Sequence, residues 1–129
     1  MKRLIVDVRP GEYAIARLAA DAPVPAGLLD AAGLVSVTRT PDELSVVCPA
    51  GVVPDTTTAQ RGWRLLTVRG PLEFTLTGIM AALSGELAAA GVSLFALSTY
   101  DTDHLLVKDA DLERAVRALR ANGHEVAEP

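Results

Sequence analysis

Gly70-Pro71-Leu72-Glu73-Phe74-Thr75-Leu76-Thr77-Gly78 separates two stretches of different hydrophobic period. Upstream, Leu65-Leu66-Thr67-Val68 is a short apolar run of β-formers, the pattern of a buried strand. Downstream, Leu76, Ile79, Met80, Leu83, Leu87 and Ala90 recur at three- and four-residue steps, which predicts a helix. Thr75 or Thr77 can cap that helix, and Gly91 can end it. Ser93 to Ser98 and His104 to Lys108 then read as strands, joined by the polar turn Thr99-Tyr100-Asp101-Thr102-Asp103. A last helix, from Asp109 or Asp111 to Asn122, carries Leu112, Ala115, Val116 and Leu119 on one face, and His124 to Ala127 makes a final strand. The order strand, helix, strand, strand, helix, strand is that of a split βαβ unit.

Working back toward the start, the pattern loosens. Leu4 to Val8 alternates apolar and polar residues, and Tyr13 to Leu18 is a second strand candidate. Pro25 can open a short helix through Ala32. Leu34 to Arg39 and Leu44 to Cys48 read as strands joined by the reverse turn Thr40-Pro41-Asp42-Glu43. Pro49 to Gly62 holds two prolines, two glycines and three consecutive threonines, and is the best linker candidate. The expected organisation is therefore a first, degenerate unit over residues 1–60 and a regular one over 61–129.

Composition bounds the function. The chain has 129 residues, of which 50% are hydrophobic and 22% charged, enough for a real core. A net charge of −4 with no basic cluster argues against a nucleic-acid surface, and 4% aromatics are too few for a base-stacking platform. No apolar run approaches the roughly 18 residues of a membrane span. The lone Cys48 excludes an intramolecular disulfide and fits a reducing, cytoplasmic setting. Neither a Gly-x-x-x-x-Gly-Lys loop nor a Gly-x-Gly-x-x-Gly fingerprint is present, and no nucleophile is paired with a base. Asp101-x-Asp103-His104 resembles a metal-ligand run, but His104 and His124 fall on strands expected to be separated by the first strand of the unit. No cofactor and no metal is expected.

Several segments together carry a resemblance: Ser36-Val37-Thr38-Arg39-Thr40, Asp42 to Cys48, Gly62-Trp63, Gly70-Pro71-Leu72, and Ser98-Thr99-Tyr100-Asp101-Thr102-Asp103-His104. They resemble a bacterial family of stand-alone tandem ACT-domain proteins. That family is similar to the regulatory ACT domains of aspartokinase and, more distantly, to the cellular arginine sensor of the TOR pathway. The resemblance implies an α/β (α+β) protein of tandem ferredoxin-like βαββαβ units, with antiparallel sheets and helices on one face. It also implies binding without turnover: a sensor that takes an amino acid at the interface of ACT units, commonly as a homodimer and in the service of a regulated protein partner.

The residues give that implication a chemical basis. A helix start presents unpaired N–H groups and a partial positive charge, suited to a carboxylate. Asp101 and Asp103 suit an ammonium or guanidinium group. The expected ligand-binding set is Leu72, Glu73, Phe74, Thr75 and Gly78 from the first rim loop and Thr99, Asp101 and Asp103 from the second. Ser36 and Thr38, on the corresponding strand of the first unit, belong to the same set and are expected to complete the site across the pseudo-two-fold. Each has a plainer reading: aspartates are standard turn formers, Gly70-Pro71 is a common turn, and Glu73 complements a helix dipole. A ligand-free interaction subunit and a small ferredoxin-like enzyme are the competing classes.

Overall fold

The computed structural model describes residues 3–72 and 78–129. It divides into two units: Gly11–Trp63, and Met1–Pro10 together with Arg64–Pro129. Among the described residues there are eight strands: β1 (Ile5–Val8), β2 (Tyr13–Leu18), β3 (Ser36–Arg39), β4 (Leu44–Pro49), β5 (Ala59–Val68), β6 (Leu94–Ser98), β7 (Asp103–Lys108) and β8 (Glu125–Ala127). The α-helices are α1 (Ile79–Ala89) and α2 (Leu112–Ala121).

In the 11–63 unit the strand order is β3-β4-β2 followed by the first half of β5, every pair antiparallel. Ala14, Ala16, Leu44, Val46 and Cys48 face one way along β2 and β4 and pack with Leu28 and Val53. The turn at residues 40–43 forms as the sequence predicts, because the Thr40 hydroxyl accepts the amides of Asp42 and Glu43 at 3.1 and 3.2 Å. The helix expected from Pro25 to Ala32 does not form; only a 3₁₀ turn, Leu28–Asp30, is present. So short a segment holds too few hydrogen bonds to offset nucleation. Its lead-in is claimed by other contacts, since the Arg39 guanidinium holds the carbonyls of Ala20 and Ala22.

The linker expected over residues 49–62 is likewise built structure. A 3₁₀ turn spans Ala50–Val52, and β5 begins at Ala59. The Arg61 guanidinium donates to the carbonyls of Ala50, Val53 and Pro54 at 3.3, 3.2 and 3.0 Å, so one cation gathers the stretch. Periodicity gave no warning of this, because the organiser is a single long side chain.

In the other unit, the split βαβ order read from residue 65 onward is present, with the sheet order β8-β1-β5-β7-β6. β1 is an added strand, antiparallel to β5 and parallel to β8. His104 and His124 are therefore separated by two strands, β1 and β5, where the sequence implied one. Val6, Val8, Leu66, Val68, Leu105 and Val107 are alternate residues of three strands and share one face. Ile79, Leu83 and Leu87 of α1 and Ala115, Val116 and Leu119 of α2 cover that face. Among the described residues, no helix is long and apolar enough to cross a membrane.

Candidate functional site

The exit of β5, the start of α1 and the β6–β7 turn meet around a cleft of about 270 Å³. Leu72, Gly78, Ile79, Met80 and the run Ser98-Thr99-Tyr100-Asp101-Thr102-Asp103 line it. The topology makes this meeting necessary. β7 lies between β5 and β6, so the strand that precedes α1 and the turn that follows β6 end at one rim.

Two hydrogen bonds fasten the rim loops together. The Leu72 N–H donates to the Asp101 carbonyl at 2.6 Å, and the Thr102 hydroxyl to the Val68 carbonyl at 2.6 Å. Gly70 lies in the gap between them. A Cβ there would stand 3.0 Å from the Asp101 carbonyl oxygen and 3.1 Å from the Thr102 Cβ. The first neighbour is backbone, already held by Leu72, and yields poorly. Gly70→Ala is therefore expected to lower stability by about 1–3 kcal/mol, the usual cost of overpacking. A denaturant midpoint matching the parent's would contradict this crowding.

At the other wall, Gly78 occupies the cap position of α1 with φ +78°, a left-handed conformation that side-chain-bearing residues rarely adopt. Ala82 N–H is the amide bonded to the Gly78 carbonyl, at 2.8 Å. The first amides of an α-helix have no intrahelical acceptor and carry partial positive charge. Opposite in sign are two carboxylates. Asp101 is exposed, whereas Asp103 is half-buried and its Oδ1 accepts the Ser98 hydroxyl at 2.6 Å. Among the described residues, none of the lining side chains is basic. The cleft thus offers a cation-seeking wall and an anion-seeking wall within one small volume.

His104 stands behind the turn. Its Nε2 is 3.3 Å from the Thr99 hydroxyl and its Nδ1 3.0 Å from the Thr67 hydroxyl. Burial, then the nearby Arg9, push its pKa below the ordinary 6.5, with Asp103 pulling the other way. His124 is placed differently: Leu4 N–H donates to its Nδ1 at 3.1 Å, and Nε2 meets Glu86 at 2.8 Å. Both rings are engaged in the fold, and no group of three metal-ligating side chains occurs among the described residues.

Of the residues singled out in the sequence, Leu72, Gly78, Thr99, Asp101 and Asp103 come together at the cleft. Ser36 and Thr38 lie on β3, in the 11–63 unit. Glu73, Phe74 and Thr75 fall outside the described residues, and the cap position expected at Thr75 or Thr77 is held by Gly78. Sequence reasoning missed Ile79, Met80, Ser98, Tyr100 and Thr102 as lining residues. The signal for the first two was available, since whatever a helix start binds must also touch the residues that follow its cap.

A family model described as an ACT domain matches residues 58–121, and a second model, for an N-terminal domain, matches residues 11–56. A solved structure of an Agobacterium tumefaciens protein is 38% identical, with a TM-score of 0.93, over 100% of this chain and 96% of that one. The human cytosolic arginine sensor for mTORC1 subunit 1 is 37% identical over 59 residues, which are 45% of this chain and 18% of that protein. The regulatory subunit of aspartate kinase from Thermus thermophilus shares the fold at 11% identity, with a TM-score of 0.61 over 92% of this chain and 97% of its own.

Proposed function

We propose, for a chain that belongs to the ACT-domain family, that it is a non-catalytic sensor binding a free amino acid in the rim cleft. One observation carries the reading: the first turn of α1 and the carboxylates of Asp101 and Asp103 line the same cleft. An α-amino acid bears a carboxylate and an ammonium on one carbon, the pair of charges these two walls complement. A volume of about 270 Å³ lies just under the usual range for drug-sized ligands, which suits a metabolite of that size. The arginine sensor's similarity over 59 residues supports the ligand class and makes L-arginine the first probe.

The same reading places the protein in the cytoplasm as a homodimer that reports to a protein partner. Among the described residues β6 has a single neighbour, β7, so its outer edge can pair with a second copy. A thermal-shift screen of the common amino acids tests the proposal. The right ligand, at one hundred times its dissociation constant, adds about 2.7 kcal/mol of stability. If no amino acid raises the melting temperature at any concentration, the ligand-free interaction subunit becomes the better reading.

A further inference from the structure

We infer that His104 is a positioning residue for the cleft and couples its acidic turn to pH, an inference that rests on reading the cleft as a ligand site. The ring spans two elements, with Nδ1 at Thr67 on β5 and Nε2 at Thr99, the first residue of the turn. The Thr99 hydroxyl donates its own proton to the Thr102 carbonyl at 3.2 Å. Its oxygen therefore receives the Nε2–H, which leaves Nδ1 to accept the Thr67 hydroxyl. This is a neutral ring in one tautomer, and it holds Thr99 against the sheet.

A second proton changes two things. It forces the Thr67 hydroxyl to turn from donor to acceptor, and it sets a positive charge within electrostatic reach of Asp103. The charged groups acting on the ring are Arg9, just past β1, and Asp103 on β7. Asp7, the cross-strand partner of Thr67, is paired with Arg69 at 2.6 and 3.0 Å. Thr67, Thr99 and Leu97, the cross-strand partner on β6, add no charge. Because the unfolded chain takes this proton at about 6.5 and the folded protein only at lower pH, stability is full above 6.5. It falls as pH drops from there through the folded value. Over the same interval the cleft loses part of its attraction for a cationic group.

The test begins without ligand, following the nitrogen resonances of His104 and the amides of Thr99 to Asp103 by NMR from pH 8 to 5. The expected result is an Nε2–H ring at pH 8, and a midpoint below 6.5 shared by the ring and the turn amides. His104→Gln keeps a neutral donor and acceptor; it should preserve the pH 8 spectrum of the turn and abolish the midpoint. L-arginine should then bind about fivefold more weakly one pH unit below that midpoint than at pH 7.5, the effect of one partly screened charge nearby. In His104→Gln the affinity should hold steady. Turn amides that ignore the ring's titration, or that titrate identically in the variant, overturn the coupling. So does L-arginine binding that is unchanged across the midpoint. If L-arginine binds at no pH while the shared midpoint persists, the coupling stands and the choice of ligand falls.

Discussion

Asp103→Asn is expected to weaken binding of the stabilising amino acid by about 1.5–3 kcal/mol, the contribution of a charge-assisted hydrogen bond. That is a loss of tenfold to more than a hundredfold in affinity. Folding should change much less. Asp103 Oδ1 accepts the Ser98 hydroxyl, and the asparagine side-chain carbonyl can accept the same proton. Asp101→Asn is the informative comparison. The Asp101 carboxylate is exposed, and it is the backbone carbonyl of that residue that anchors Leu72. Its removal should cost less than tenfold. Calorimetric titration of both variants decides the matter, and parental affinity in both would mean that the acidic turn is only a turn.

The largest effect on folding is expected from Leu83→Ala. Leu83 is 0% exposed at the middle of α1 and packs into the core that joins this helix to β1, β5, β7 and α2. Truncating it removes transfer free energy and leaves a cavity, at about 3–5 kcal/mol. That is a large fraction of the 5–15 kcal/mol typical of a domain, so the variant should unfold at far lower urea. Ala81, two residues earlier and on the opposite side of the helix, is exposed, and a polar replacement there should stay within about 0.5 kcal/mol. A Leu83→Ala cost below about 1 kcal/mol would contradict the packing of α1 on the sheet.

The regular part of the molecule was legible because its residues obey one period at a time. The three- and four-residue steps from Ile79 to Leu87 face a sheet, and the Ala115, Val116 and Leu119 stripe faces the same core. The two-residue alternation of Leu4, Val6 and Val8 marked β1 as a half-buried strand, but could not say which strands it joins. Its insertion between β5 and β8 is set by long-range pairing, Val6 with Val68 and with Val126, to which local pattern is blind. The Arg61 and Arg39 clamps escaped for a related reason: each organises a loop through backbone carbonyls, and carbonyls leave no mark on composition. At the cleft, Gly78, Asp101 and Asp103 stood out as types richer than a connection needs. The role of His104 did not, because it depends on which hydroxyls face its two nitrogens.

The central claim is that an amino acid occupies the cleft between the start of α1 and the β6–β7 turn. Mapping the amide resonances of the ¹⁵N-labelled protein during titration with the stabilising amino acid tests it most directly. The account predicts saturable shifts concentrated at Gly78, Ile79, Met80 and Ser98 to Asp103, with the 11–63 strands β3 and β4 little changed. Saturable shifts confined to other residues, with these amides unmoved, would contradict it.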